Sequence, residues 1–261
     1  MSEARFSSPE MLPAGQLGYI LPPRIGDTIH HQFYRTCPPD LMLVVYTLNL
    51  GAFTAEGVEA ALTSFWPAFD FLAARKVDRI VQAGIPVSSI AGRKRILGFL
   101  EEAARRAPGI PASADFEEAI EGFKLLGCRK IAMAGKWDDA LMGRVAAYLR
   151  DAGLEPLGWA AQAHTTQQVM YVEPQEGFDM ALALGRQAFN QNPGADGLLL
   201  AGGNWLSNAA IPVLEEEFGR PVITNPAASY WAFMKQLGRC SPRPGYGSLV
   251  DSLRPWAAGV R

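Results

Sequence analysis

The 261-residue chain lacks the features that mark several specialised classes of protein. It has three cysteines, Cys37, Cys128 and Cys240, and an odd number in a chain long enough to bury its own core argues against a disulfide framework. Its longest run of Lys and Arg is three residues and its net charge is −2, whereas a protein that binds the phosphate backbone of nucleic acids normally has a basic face. We therefore expect no nucleic-acid partner.

Long apolar runs are also missing. No uninterrupted apolar stretch reaches about 18 residues, and the first five residues carry an acid and are not followed by an apolar segment of signal length. We expect neither membrane insertion nor secretion, and the few cysteines fit a reducing, cytoplasmic location. The hydrophobic share of 49% and the charged share of 19% are those of an ordinary globular chain, for which small uncharged or anionic ligands are suitable partners.

The hydrophobic pattern predicts the α/β fold class. Short apolar runs, such as residues 17–21, 79–83 and 197–201, alternate with longer amphipathic segments. This is the pattern of a parallel sheet whose crossovers are helices, and continuous apolar runs are typical of strands buried on both faces. One of the predicted helices covers residues 56–76, with a bend at Pro67 and an N-cap at Thr54.

Two versions of one structural unit follow each other in the chain. Residues 78–86, DRIVQAGIP, and residues 196–204, DGLLLAGGN, share an acidic start, a buried strand and an Ala-Gly turn. Residues 17–23, LGYILPP, and residues 130–136, KIAMAGK, form a second matching pair. Two pseudo-symmetric lobes would place their strand ends face to face, and ligands of open parallel sheets bind beyond the carboxyl ends of the strands. The cleft between the lobes is therefore the expected site.

This repeat also suggests a division of the chain. We predict an irregular segment at residues 1–16, a first lobe made of residues 17–113 and 226–261, and a second lobe made of residues 114–225.

Several longer segments carry a family resemblance. GYILPPRIGD, VDRIVQAGIPVSS, LGCRKIAMAGKWDDALMGRVAAYLRDAGLEP and DGLLLAGGNWLSNAAIPVLEEEFG occur in the order found in the aspartate/glutamate racemase superfamily. The chain most resembles the branch of arylmalonate decarboxylase and maleate cis-trans isomerase. The resemblance implies two flavodoxin-like lobes, each a short parallel sheet flanked by helices, with the active site in the cleft. It also implies chemistry without a cofactor, and a homodimer or small homo-oligomer.

Two family cysteines have no counterpart in this chain. The superfamily places one thiol on each side of the reacting carbon, and the resemblance carries these positions to Gly84 and Gly202. The decarboxylase branch shares the first glycine but keeps the second cysteine as proton donor. Hydroxyls and amides that hold a carboxylate are replaced by Ile85 and Pro86, and a tyrosine by Trp137. The resulting wall is larger and more apolar, so an aryl or other apolar substituent would fit it.

The expected ligand-binding residues follow from these turns. They are Pro22, Gly84, Ile85, Pro86, Ser88, Trp137, Gly202, Gly203 and Trp205. For Trp205, packing under the next helix is an equally good interpretation. A metal site is not expected, because His30, His31 and Cys37 match no standard ligand spacing.

Four polar residues are candidates for catalysis. His31 is predicted in a loop that opens onto the cleft, although a loop histidine is more often a surface residue. Lys136 could bind a carboxylate, and Asn204 could offer a donor and an acceptor to a substrate oxygen. Asp138 could act as a base, but capping of the following helix is about twice as good an explanation.

These observations predict a cofactor-independent lyase. The leading hypothesis is a decarboxylase-type enzyme that acts on a small carboxylic acid through a carbanion or enediolate. The alternatives are a non-thiol isomerase, a hydratase or a carbon–carbon lyase on the same scaffold. A ligand-binding protein that has lost the chemistry is the alternative from another class.

Overall fold

The computed structural model describes residues 12–254. Its strands are β1 (Gly15–Leu21), β2 (Leu41–Thr47), β3 (Arg79–Gln82), β4 (Ala112–Ala114), β5 (Lys130–Gly135), β6 (Glu155–Ala161), β7 (Gly197–Ala201) and β8 (Val222–Thr224). Its helices are α1 (Asp27–Thr36), α2 (Ala55–Leu62), α3 (Phe65–Ala74), α4 (Ile85–Ala91), α5 (Arg93–Arg106), α6 (Asp115–Leu125), α7 (Asp139–Asp151), α8 (Thr166–Met170), α9 (Pro174–Gln191), α10 (Ser207–Phe218), α11 (Asn225–Gln236) and α12 (Ser248–Asp251).

The strands form two parallel four-stranded sheets with the same topology. The order is β2-β1-β3-β4 in one sheet and β6-β5-β7-β8 in the other, so the second sheet repeats the first with each strand number raised by four. The α/β class and the two similar lobes are thus confirmed. The short strand β4, an Ala-Ser-Ala segment, has no apolar run that could predict it.

The assignment of residues 226–261 to the first lobe stays a prediction. Helix α11, which starts this segment, packs against both α6 and α1. Residues 1–11, most of the predicted irregular segment, and residues 255–261 lie outside the described part of the chain.

A buried ionic cluster connects α11 to the first sheet. Glu118 of α6 is 2% exposed and accepts hydrogen bonds from the Arg79 guanidinium at 2.8 Å and from the hydroxyls of Ser113 and Ser229 at 2.6 Å. These partners lie on β3, β4 and α11. One carboxylate therefore holds four elements together, and every hydrogen bond to it replaces water that folding removed.

The predicted helix over residues 56–76 is instead two helices. Helix α2 ends at Leu62 and α3 begins at Phe65, so Pro67 lies in the first turn of α3, where no intrahelical N–H bond is lost. The N-cap at Thr54 is confirmed, because its hydroxyl accepts a hydrogen bond from the Gly57 amide at 3.1 Å.

The prediction of a loop after β1 is also wrong, because residues 27–36 form helix α1. Its buried face combines the apolar Ile29 and Phe33 with polar residues, among them Thr28 and Gln32. Polar residues on the buried face conceal the apolar period that normally reveals a helix. His31, also on α1, is exposed.

Within residues 12–254, no helix is both long enough and apolar enough to cross a bilayer.

Candidate active site

A cavity of about 60 Å³ lies where the carboxyl ends of the two sheets face each other. In each sheet the first strand, β1 or β5, connects to a neighbour on one side, and the third strand, β3 or β7, connects to a neighbour on the opposite side. Such a reversal opens a crevice beyond the strand ends. The predicted residues that line it are Pro22, Gly84, Ile85, Pro86, Lys136, Trp137, Gly202, Gly203 and Asn204.

Two turn glycines occupy equivalent positions in the wall. Gly84 follows β3 with φ +104° and Gly202 follows β7 with φ +102°, a region that residues with a side chain rarely adopt. A Cβ atom on Gly84 would lie 2.4 Å from Cγ of Pro22, and one on Gly202 would lie 3.2 Å from the Trp137 ring. A side chain is therefore strained at both turns by the backbone conformation, and at the first also by lack of space.

Lys136 brings a buried amine to the cavity. It follows the central strand β5, is 0% exposed, and its Nζ donates a hydrogen bond to the Asn204 carbonyl at 3.1 Å. The same atom lies 4.5 Å from the centre of the Trp205 ring. Burial lowers the pKa of Lys136 well below its usual value. A buried amine in an apolar wall can bind an anion or carry a proton, as the sequence suggested.

A second buried ionisable group, Asp115, was not among the predicted residues. It begins α6, lines the cavity and is 0% exposed. Its Oδ2 accepts hydrogen bonds from the Gly84 amide at 2.8 Å and from Nδ2 of Asn225. Asn225 in turn accepts a hydrogen bond from the Gly202 amide at 2.9 Å. Asp115 and Asn225 thus join the two glycine turns across the cleft.

Burial dominates the acidity of Asp115. The pKa of Asp115 is raised to about 7; desolvation is the main cause and the nearby Glu118 adds to it, whereas the hydrogen bonds from Gly84 and Asn225 act in the opposite direction. An Asp at the start of a helix is usually explained by capping or by the helix dipole, so local sequence does not point to this role.

Two predicted catalytic residues lie away from the cavity wall. His31 lines a separate surface depression beside Arg35 and Tyr246. Asp138 is exposed and caps α7, its Oδ1 accepting a hydrogen bond from the Leu141 amide at 2.9 Å. Neither residue lines the cavity that contains Lys136, although Asp138 lines an adjoining depression that shares Phe53 and Trp137 with it.

Asn204 lines the cavity, but its side-chain amide is hydrogen-bonded to other residues of the protein. Its Oδ1 accepts a hydrogen bond from the Thr28 hydroxyl at 3.0 Å, and its Nδ2 donates to the Val169 carbonyl at 3.1 Å. These bonds hold the turn whose carbonyl contacts Lys136. The amide is therefore placed to fix the wall.

Two predicted ligand-binding residues lie behind the wall. Ser88 is 0% exposed and donates a hydrogen bond to Gln82, because α4 starts directly after Gly84 and carries Ser88 towards β3. Trp205 is 1% exposed, donates to the Gly202 carbonyl at 2.6 Å and lies beneath Lys136. The aromatic part of the cavity wall is supplied by other residues, Tyr19, Phe53 and Trp137.

Groups of at least three metal-binding side chains (His, Cys, Asp or Glu) are not found between residues 12 and 254.

A family model and a related protein both connect this chain with arylmalonate decarboxylase. The family described as arylmalonate decarboxylase matches residues 17–250. Arylmalonate decarboxylase of Bordetella bronchiseptica is 30% identical over 248 residues, which cover 90% of this chain and 96% of that protein.

Two solved structures show the same fold. A liganded mutant of arylmalonate decarboxylase, with one glycine-to-cysteine and one cysteine-to-serine exchange, is 26% identical, has a TM-score of 0.79 and covers 91% of this chain and 99% of its own. Maleate cis-trans isomerase of Nocardia farcinica, bound to TRIS, is 17% identical, also with a TM-score of 0.79, and the match covers 91% and 98% of the two chains. At that identity the isomerase supports the fold alone.

Proposed function

The chain belongs to the arylmalonate decarboxylase family, and on this premise we propose that it is a cofactor-independent decarboxylase of small carboxylic acids with an aryl or other apolar substituent. The observation that carries the proposal is the buried amine of Lys136 in the wall of an otherwise largely apolar cavity. Family membership supports lyase chemistry, and the cavity supports the substrate class.

Lys136 suits the charge that decarboxylation leaves behind. A substrate carboxylate that enters the cavity would raise the pKa of Lys136 again, because an opposite charge favours the ammonium form. Loss of carbon dioxide leaves an electron pair on the α-carbon, which is delocalised into the remaining carboxylate. An ammonium group fixed beside Trp205 and the Asn204 carbonyl would stabilise this enediolate without reorganising.

The apolar side of the wall suits the substituent. Phe53 and Trp137 meet edge to face with ring centres 6.1 Å apart, and both line the cavity together with Ile85 and Pro86. An aryl group could pack against these rings while the carboxylates face Lys136. An apolar pocket also disfavours the charged carboxylate relative to the leaving carbon dioxide.

A substrate screen tests the proposal. Purified protein is offered arylmalonates, alkylmalonates, maleate and aryl hydroxy-acids, and carbon dioxide and products are followed by mass spectrometry. Carbon dioxide from arylmalonates is the expected result. Turnover of maleate without carbon dioxide would favour the non-thiol isomerase, and turnover of the hydroxy-acids by loss of water or carbon–carbon cleavage would favour the hydratase or lyase. Thermal stabilisation by a compound that is not turned over would favour a binding protein.

The proposal includes catalysis without a thiol at positions 84 and 202, and cysteine substitutions test how each turn accepts one. We expect Gly84→Cys to lower the free energy of unfolding by about 1–3 kcal/mol more than Gly202→Cys. Both substitutions place a side chain at positive φ, but only the first also forces a Cβ against the rigid Pro22 ring. Urea denaturation of both variants measures the difference, and equal losses would contradict this account of the turns.

A further inference from the structure

We propose that Asp115 is the general acid of this site, giving its proton to the α-carbon after carbon dioxide has left, with Asn225 as its positioning residue. The proposal rests on the decarboxylase function proposed above and names the group that takes the place of a thiol.

The two oxygens of Asp115 have different surroundings. Oδ2 accepts hydrogen bonds from the Gly84 amide and from Asn225, so it is held in place. Oδ1 is fully buried and has no hydrogen-bond partner among residues 12–254. An ionised carboxylate with an unpaired buried oxygen is costly, and a proton on Oδ1 removes both the charge and the need for a donor. Asp115 is among the residues that line the cavity, but Oδ1 has no exposed surface, so the proposed transfer requires the wall to open at Asp115 when the substrate binds.

The position of Asp115 between the two glycine turns also supports its role as general acid. Asp115 contacts the amide of one glycine turn directly and that of the other through Asn225. It therefore lies beneath both turns from which the family chemistry is expected to act. The protonated carboxyl also has the acidity that such a task requires, since the pKa of Asp115 is about 7.

The proposed step balances in atoms and electrons. The bond between the α-carbon and the departing carboxyl carbon breaks, and its electron pair stays on the α-carbon as an enediolate. The O–H bond of Asp115 then breaks as a new C–H bond forms at that carbon. Asp115 takes a proton back from water, so each turnover consumes one proton from solvent and releases one carbon dioxide.

Several ionisable groups face Asp115 and enter its pH dependence. Tyr19 of β1 and Tyr148 of α7 have phenols whose pKa is raised, so they remain neutral near pH 7. Glu118, on the same helix, is ion-paired with Arg79, and Lys136 lies on the cavity wall. The acid form of Asp115 is lost as pH rises through about 7, so the turnover number should fall above that pH.

The main test is Asp115→Asn. The amide oxygen can still accept the hydrogen bonds from Gly84 and Asn225, so the fold is expected to remain, as thermal unfolding checks. The substrate is α-methyl-α-phenylmalonate, whose product is chiral. We expect the turnover number to fall about 10²–10⁴-fold, the loss of activity above pH 7 to disappear, and the product to become racemic because water then supplies the proton.

Asn225→Asp is the companion variant. Its carboxylate can still accept the Gly202 amide hydrogen bond, but it places a second acid against Asp115. Like charges raise the pKa of one member of such a pair, so the alkaline loss of activity should move to higher pH. A merely structural role for Asn225 would lower activity without moving the profile.

The outcomes separate the two proposals. Wild-type decarboxylation together with unchanged turnover, pH profile and product handedness in Asp115→Asn would overturn the role of Asp115 and leave the decarboxylase standing. A wild-type protein that releases no carbon dioxide would contradict the proposed function. In that case, infrared absorption of the protonated carboxyl is compared between wild type and Asp115→Asn. The difference shows whether Asp115 holds a proton at neutral pH. A carboxyl of Asp115 that loses its proton at an ordinary acidic pH would overturn its role as general acid.

Discussion

Lys136→Met is expected to remove activity while leaving the fold at least as stable. Loss of a preorganised cation beside a developing negative charge should lower kcat/KM for an arylmalonate by about 10²–10³-fold. Methionine has a similar length and no charge, so it removes the penalty of a fully buried amine. Steady-state kinetics and urea denaturation of the same preparation measure both effects.

The stability effect has a defined pH dependence. Because the pKa of Lys136 is lowered in the folded protein, the unfolded chain binds a proton that the folded chain does not, and wild-type stability falls as pH falls. The advantage of Lys136→Met should therefore grow towards lower pH. Lys130→Met is the matched control, since Lys130 is exposed at the start of β5, the strand that Lys136 follows. Equal activity losses in the two variants would remove Lys136 from the site.

Glu118→Ala is expected to cost about 3–5 kcal/mol of unfolding free energy. The substitution leaves the guanidinium of Arg79, which is 14% exposed, without its buried partner, and it also strips the hydroxyls of Ser113 and Ser229 of their acceptor. The guanidinium and the two hydroxyls would stay buried without the carboxylate that accepts their hydrogen bonds, which is costly. Urea denaturation followed by circular dichroism measures the change.

Glu121→Ala provides the comparison on the same helix. Glu121 pairs with Lys235 of α11, but both side chains are more than half exposed, so its loss should cost at most about 1 kcal/mol. Similar losses for the two glutamates would mean that burial of the Glu118 cluster contributes little to the contact between α6 and α11.

The strands and the turn glycines could be predicted because their signals are local. Continuous apolar runs such as β7 mark strands buried on both faces, and the Ala-Gly turns after β3 and β7 repeat within the sequence itself. Helix α1 could not be predicted in this way. Its buried face includes Thr28 and Gln32, whose hydrogen bonds to Asn204 and Gly203 form only when the two lobes meet.

The pair formed by Asp115 and Asn225 was missed for a related reason. Each residue stands at the start of a helix, where a short polar side chain is common. What distinguishes them is a hydrogen bond between residues 110 positions apart and almost complete burial, and neither property can be inferred from neighbouring residues. His31 shows the converse. Its side-chain chemistry favours proton transfer, but the sequence does not reveal that it is exposed and lines a separate depression.

The repeated topology would by itself produce a site with two identical sides. Gly84 and Gly202 preserve that equivalence, but the first residue of the helix after the last strand is Asp115 in one repeat and Asn225 in the other. The strand registers likewise make Pro22, the residue after β1, the counterpart of Lys136, the residue after β5, and both line the cavity. Two departures from internal symmetry are thus enough to give a duplicated frame an acidic side and a basic side.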